Sequence, residues 1–249
     1  MDQTPPCLRR AIHYIYYMDM KAILLFLLGV LVLISGGVWY LLQPKSLGIS
    51  YTPSDLASIY KKVNVIFESL PAETPVGKSL VLIGAHPVDT MFTSSELTAG
   101  ADNRSSQYAY FPFRHVQIRV NPDGSVEGSA TVNYSDAVRY LVALGVSSED
   151  IAEGAKKFNI PNANLPIYLK VKGSITGNTS SITVQQAQIA RISIPENLVT
   201  QYAPALNGLI DSIIRSRQPS YNIQKLNVEN GSVHFVGNAP DKEQAVKSL

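Results

Sequence analysis

Apolar and polar residues are distributed very differently near the N-terminus and along the rest of the chain. Residues 22–42 (AILLFLLGVLVLISGGVWYLL) form a run of 21 residues without a charged side chain. As a helix rising about 1.5 Å per residue, this run would cover roughly 30 Å, the thickness of a bilayer's hydrocarbon core. The pattern predicts one transmembrane helix, with Trp39 and Tyr40 where interfacial aromatic residues are typical.

The charged residues around this run predict its orientation. Arg9, Arg10 and Lys21 precede it, whereas Lys45 stands alone just after it. Because positive residues favour the cytoplasmic side, we expect a cytoplasmic N-terminus and a body outside the plasma membrane. The run is longer than the apolar region of a cleaved signal peptide and ends without a small-residue cleavage site. We therefore expect an uncleaved single-pass anchor.

The same pattern predicts the domain organisation. We expect a cytoplasmic segment at 1–21, a transmembrane helix at 22–42, a linker at 43–53 and an extracytoplasmic α+β domain at 54–249. Met18 or Met20 would make an ordinary start for the anchor, so we expect translation to begin there. The only cysteine, Cys7, precedes both, so the body has no disulfide or thiolate site. A body without disulfides outside the membrane is typical of a bacterial envelope.

The composition of the body narrows the possible partners. From Ser46 onward, 17 Lys and Arg residues balance 17 Asp and Glu residues. A neutral body argues against nucleic acid, which requires a basic face. About 200 residues with abundant Val, Ile, Tyr and Thr are enough for a globular core.

Periodicity along the body alternates between helical and strand patterns. A helix is predicted to begin at Ser54-Asp55, to carry Leu56 through Phe67 at helical spacing and to end before Pro71. Thr93 and Glu96 form a capping box, and an Asp-Gly turn joins two alternating strands over 116–132. The remaining predicted elements are a strand at 80–83, helices at 135–144, 147–158 and 195–217, strands at 165–173 and 180–194, and a hairpin at 223–236. This order predicts an α+β fold.

Signals for enzymatic or cofactor chemistry are weak. Residues 72–79 (AETPVGKS) match a relaxed phosphate-loop pattern, but a helix precedes them and a strand follows, the reverse of what phosphate binding needs. The four histidines have no paired spacing, and no G-x-S-x-G motif occurs. We expect no catalytic, cofactor or metal residues, no nucleotide and no enzyme activity.

The segment at 195–217 predicts the candidate ligand face. Six apolar residues lie on one side of this helix: Leu198, Tyr202, Leu206, Leu209, Ile210 and Ile213. Gln201, Asn207, Asp211 and Arg215 lie mostly elsewhere, and Pro204 should kink or restart the helix. Two interpretations remain: the apolar face is ordinary core, or it lines a groove for an acyl chain.

The layout resembles that of bacterial anchored proteins related to the tubular lipid-binding (TULIP-like) superfamily. The resemblance is carried by the anchor and linker, by FTSSELT at 92–98, by the hairpin at 116–132, by ISIP at 192–195 before the long helix, and by VENGSVHFVG at 228–237. It implies a curved antiparallel sheet packed on amphipathic helices, with lipid in the apolar seam. The paired helices between 135 and 158 depart from a simple tube.

Together these observations predict a membrane-anchored extracytoplasmic protein that binds a lipid or another hydrophobic envelope component without catalysis. Membrane lipids would then be both the environment of the anchor and the ligand. The first alternative is a structural or interaction module of the cell envelope that acts through a protein partner, and the second is an envelope hydrolase whose catalytic residues form no recognisable motif. Lipid binding predicts an apolar cavity of several hundred Å³. An interaction module predicts a filled core and an exposed apolar patch.

Overall fold

The computed structural model describes residues 24–37, 39–157 and 161–247. The chain divides into two compact units, residues 1–42 and 43–249. In the first, α1 (Leu24–Leu41) is the one described helix that is long and apolar enough to cross a membrane. Such a helix fits a membrane anchor and a signal sequence equally. The predicted cytoplasmic segment, 1–21, lies outside the described residues.

The second unit is an α+β body, as the sequence pattern predicts. Its helices are α2 (Pro53–Val63), α3 (Ser94–Gln107), α4 (Tyr134–Ala143), α5 (Ser148–Lys157) and α6 (Glu196–Ser216). Its strands are β1 (Ile66–Leu70), β2 (Leu80–Ile83), β3 (His86–Phe92), β4 (Phe113–Val120), β5 (Ser125–Val132), β6 (Leu165–Thr176), β7 (Thr179–Ile189), β8 (Ile192–Ser193), β9 (Asn222–Glu229), β10 (Ser232–Ala239) and β11 (Lys242–Val246).

The larger sheet has eight strands and is strongly curved and antiparallel. Its path runs β3-β10-β9-β6-β5-β4, and β7 branches from β6 and carries β8. Glycines permit two of the tight approaches within the sheet. A Cβ at Gly237, beside a bulge in β10, would lie 2.1 Å from the carbonyl oxygen of Asn222. A Cβ at Gly173 in β6 would lie 2.0 Å from the carbonyl oxygen of Ser181. Neither glycine can therefore be replaced by a residue with a side chain.

A second, three-stranded sheet has the order β1-β11-β2, with β1 parallel to β11. The sequence reading was wrong about the first of these strands. Phe67 lies in β1, not in the preceding helix, which ends at Val63 where Asn64 adopts φ 49°. The helix is capped by Thr52, with Asp55 completing a capping box, not by Ser54. Strands β3 and β11 were not predicted either.

Polar helix residues close the free edge of β4. Three side chains of α3, spaced four residues apart, face successive backbone groups of this strand. Ser94 Oγ accepts from Val120 N at 2.9 Å, and Thr98 Oγ1 accepts from Ile118 N at 2.9 Å. Asp102 Oδ1 accepts from Val116 N at 2.9 Å, two residues further along the strand. The helix therefore covers an edge that would otherwise expose unpaired amides.

The linker packs on the sheet face opposite the apolar side of β6. Leu47 is buried, with its N–H donating to Gln117 Oε1 at 2.7 Å and its carbonyl accepting from Arg119 Nη1 at 3.2 Å. Lys45 Nζ lies 3.4 Å from the ring centroid of Tyr168. The predicted linker therefore contributes packing and hydrogen bonds to the body.

Candidate functional site

The six residues of the predicted ligand face do not share one environment. Leu198 and Leu209 remain 40% and 39% exposed, while Tyr202, Leu206, Ile210 and Ile213 are half-buried. The only fully buried side chain of α6 is Ile214, which the prediction did not include. Leu209 and Ile213 line two different cavities, and the other four predicted residues line neither. The helix continues as one element through Pro204.

Polar side chains attach α6 to the sheet. Asn207 exchanges two hydrogen bonds of 2.9 Å with the backbone N–H and carbonyl of Ile182 in β7. Asp211 Oδ1 accepts from the N–H of Ser180 at 2.7 Å and from its hydroxyl at 2.6 Å. These hydrogen bonds lower the pKa of Asp211 below its ordinary value. Two residues that lie off the predicted apolar face, Asn207 and Asp211, thus dock the helix on the sheet.

The first cavity, here called the aliphatic cavity, has a volume of about 480 Å³. It lies between the α4–α5 pair, strands β5 to β7 and one residue of α6. Its lining is mostly aliphatic and comprises Val132, Tyr134, Ala137, Val138, Leu141, Val146, Asp150, Ile151, Gly154, Ala155, Pro161, Ala163, Leu165, Ile167, Ile189 and Leu209. The volume lies within the usual range of small-molecule sites.

Amphipathic spacing in the two short helices builds this cavity. In α4, Ala137, Val138 and Leu141 recur at helical intervals, and in α5 Ile151 and Gly154 are three residues apart. Asn133 caps α4 by accepting from the N–H of Asp136, so this helix begins at Tyr134, one residue before the predicted start at 135. The paired helices that depart from a simple tube thus supply half of the wall.

The second cavity, here called the aromatic cavity, has a volume of about 590 Å³ and lies between helices and strands of both sheets. Its lining comprises Ile59, Tyr60, Val63, Val65, Phe67, Leu80, Leu82, Val88, Phe92, Gly100, Arg104, Gln107, Tyr140, Leu144, Ile213, Ile214, Arg217, Tyr221, Ile223, Phe235, Ala239 and Glu243. Six of these are Tyr or Phe, and two are an Arg and a Glu that pair with each other.

The ion pair in the wall of the aromatic cavity joins Arg104 of α3 to Glu243 of β11. The side chain of Glu243 is 3% exposed and that of Arg104 is 18% exposed. Burial alone would lower the pKa of Arg104, but the Glu243 carboxylate outweighs burial and raises it. A second arginine, Arg217, donates to the carbonyls of Leu80 and Ala143.

Two tyrosine hydroxyls of this lining have no hydrogen-bond partner among the described residues, those of Tyr140 and Tyr221. Tyr60 differs, because its hydroxyl accepts from Asn103 at 2.5 Å and from Gln107 at 2.8 Å. Burial raises the pKa of Tyr221 to about 12, and it raises the pKa of Tyr140 as well. Both phenols are therefore neutral donors at physiological pH.

The relaxed phosphate-loop match and two of the histidines make structural contacts. Residues Val76–Lys78 form a single 3-10 turn, and the buried Ser79 hydroxyl lies 2.6 Å from Val76 O and 2.8 Å from Tyr108 Oη. His86 contacts Asp241, and His234 lies between Asp89 and Glu229. Among the described residues, no three His, Cys, Asp or Glu side chains come together as metal ligands would.

Comparison with known proteins identifies no relative. No protein-family model, curated protein sequence or solved structure matches the chain at a significant level.

Sequence reasoning missed most residues of both cavities. The lining of the aliphatic cavity had a readable signal, namely the amphipathic spacing of α4 and α5. The ion pair of the aromatic cavity had no readable signal in the sequence, because Arg104 and Glu243 lie 139 residues apart in the chain.

Proposed function

We propose that this chain is a membrane-anchored, extracytoplasmic protein that binds lipid acyl chains or similar aliphatic envelope components without catalysis. The aliphatic cavity is the proposed site. The observation that carries the proposal is an apolar space of about 480 Å³ bounded by two amphipathic helices and a sheet. Burying an aliphatic chain there would gain about 25 cal/mol for each Å² of apolar surface removed from water.

The proposed location follows from the apolar run and its flanking charges. Helix α1 would anchor the chain in the plasma membrane of a bacterium, with its N-terminus in the cytoplasm and the body outside. Anchoring would keep acyl lipids available to the proposed site. The proposed likeness to TULIP-like proteins rests on the curved sheet and on apolar space beside amphipathic helices.

A glycine in the cavity wall allows a sharp test. A Cβ at Gly154 in α5 would meet nothing within 4 Å, so the side chain of Gly154→Leu starts in open space at the cavity wall and should occupy part of the cavity. Gly208 in α6 also faces open space and does not line this cavity, so Gly208→Leu is a matched control. Both changes replace a helical glycine and should raise helix propensity equally.

The experiment is native mass spectrometry with lipid extraction on the full chain in detergent. We expect co-purified acyl lipid in the wild type and in Gly208→Leu, and at least tenfold less in Gly154→Leu. A stable lipid-free mass for the wild type after exposure to membrane lipids would contradict the proposal. Equal retention by both variants would place any bound lipid elsewhere.

A specific observation supports the alternative, an interaction module. Around the junction of β7, β8 and α6, Ile192 is 63% exposed, Ile189 42% and Leu198 40%. Exposed apolar side chains close together in the chain are typical of a contact surface. Under this alternative, Ile192→Asp with Leu198→Asp would abolish self-association or complex formation while leaving lipid retention unchanged.

A further inference from the structure

The aromatic cavity is a second site whose chemistry differs from that of the proposed acyl site. It is larger, and its wall adds six Tyr and Phe rings to its aliphatic side chains, where the acyl site has one ring, that of Tyr134. Tyr60 and Phe67 pack with ring centroids 5.7 Å apart. Tyr140 lies 5.8 Å from Phe111 and 5.9 Å from Tyr108 by the same measure. Rings held by such contacts form a rigid surface that suits another ring.

The charges in this wall select against a charged ligand. Arg104 and Glu243 neutralise each other, and Arg217 is engaged by two backbone carbonyls. A ligand carboxylate or ammonium would have to break the Arg104–Glu243 pair or remain unpaired in an apolar space. Either outcome leaves a charge without a partner in an apolar space, and no new interaction offsets its desolvation cost.

The hydroxyls of Tyr140 and Tyr221 supply what an uncharged oxygen-bearing ligand needs. Each lines the cavity with a hydroxyl that has no partner among the described residues. A hydroxyl that no protein group engages is available to donate a hydrogen bond to an acceptor that enters the cavity. Because both remain protonated at physiological pH, each presents a donor to that acceptor.

We propose that the aromatic cavity binds an uncharged, ring-bearing hydrophobe whose ring oxygens accept hydrogen bonds from the hydroxyls of Tyr140 and Tyr221. A substituted quinone is the chemical class that meets these requirements. Its flat ring matches the aromatic wall, and its carbonyl oxygens accept but do not donate. The proposal is independent of the acyl site, with which this cavity shares no lining residue.

A matched pair of probes tests the proposal. Duroquinone and durene carry the same four methyl groups on a six-membered ring, but only duroquinone has carbonyl oxygens. We would titrate each into the full chain in detergent and into the Tyr140→Phe/Tyr221→Phe variant, using isothermal titration calorimetry. The substitutions remove only the two hydroxyl oxygens, and near-UV circular dichroism checks that the variant is folded. Partition of each probe into detergent is the same for both proteins.

We expect the wild type to bind duroquinone at least tenfold more tightly than durene. A site that donates hydrogen bonds discriminates strongly against an analogue without the acceptor. In the double variant this preference should disappear while durene affinity stays unchanged. Gly154→Leu, which changes only the aliphatic cavity, should leave duroquinone affinity as in the wild type. Failure of the acyl-site proposal is therefore distinguishable from failure of this one. Equal affinity of the wild type for both probes would overturn the proposal. So would undiminished duroquinone binding by the folded double variant, or no duroquinone binding at all.

Discussion

The two cavities share two helices as walls, yet only one of them adds aromatic rings and charged side chains to its aliphatic lining. In α4, Ala137 and Leu141 line the aliphatic cavity, whereas Tyr140 and Leu144, just after it, line the aromatic one. In α6, Leu209 lines the first and Ile213 lines the second. Tyr140 and Leu141 are adjacent and diverge by about 100° around α4, whereas Leu209 and Ile213 are four residues apart on nearly the same face and are separated by about 6 Å along α6. One helix can therefore line two compartments either around its axis or along it. The comparison shows that an apolar stripe alone does not identify a binding face.

The largest expected effect concerns the ion pair of the aromatic cavity. Glu243→Gln leaves the Arg104 charge without its partner, which should cost about 3–5 kcal/mol of unfolding free energy. Thermal unfolding in detergent measures this loss. Replacing both members, Arg104→Met with Glu243→Leu, should restore most of the stability. If the single change costs less than about 1 kcal/mol, the pair does not hold this cavity together.

The carboxylate of Glu127 is buried, lines neither cavity and makes stability depend on pH. Burial acts to raise the pKa of Glu127, but hydrogen bonds from Arg119, Asn121 and Tyr168 outweigh it and lower the pKa to about 2. Because the folded pKa is depressed, its stabilisation is fully present above the ordinary Glu value and is lost as pH falls towards about 2. The contribution is roughly 3 kcal/mol.

Melting temperature measured from neutral pH downward tests this linkage. Glu127→Gln should flatten the decline in acid, and Tyr168→Phe should flatten it partly, because it removes the hydrogen bond from one of the three residues that donate to Glu127. Ligand affinity at neutral pH should not change in either cavity for a folded protein. An acid decline in Glu127→Gln as steep as in the wild type would contradict the assignment.

The attachment of α6 links the two cavities. Asn207→Ala removes both hydrogen bonds to Ile182 and should cost about 1–2 kcal/mol, because these backbone groups are only partly buried. Since α6 contributes to both walls, lipid retention and duroquinone affinity should fall together. Gln201→Ala, at an exposed position of the same helix, serves as the control for urea unfolding. A loss confined to one ligand would show that the cavities respond to α6 separately.

The smallest expected effect separates the cavities most cleanly. Gly154→Leu and Gly208→Leu should each stabilise the chain by about 1 kcal/mol through helix propensity, as measured by urea unfolding. Only the first should also reduce lipid binding. At Gly100, which lines the aromatic cavity, an added Cβ would instead lie 2.7 Å from Ile59 Cδ1, so no comparable open space exists there. Destabilisation by Gly154→Leu would mean that its side chain does not enter the aliphatic cavity.

Local signals in the sequence predicted local structure well. The Asp-Gly turn correctly predicts the β4–β5 hairpin, and Thr93 with Glu96 forms the predicted capping box of α3. Both depend on contacts within a few residues. Phe67 shows the limit: it continues the helical spacing of α2, but it pairs with Glu243 in a parallel strand far along the chain. A local pattern contains no information about such a partner.

By itself, the sequence determined an apolar N-terminal segment of membrane-spanning length, an α+β body without cysteines and the main helices and hairpins. These follow from periodicity, capping and turn chemistry, which act over neighbouring residues. Only the tertiary structure decided which helix side docks on the sheet and where empty space remains. Polar residues such as Asn207 and Asp211 face a strand edge because unpaired edge amides need partners, a demand that a hydrophobicity pattern does not express.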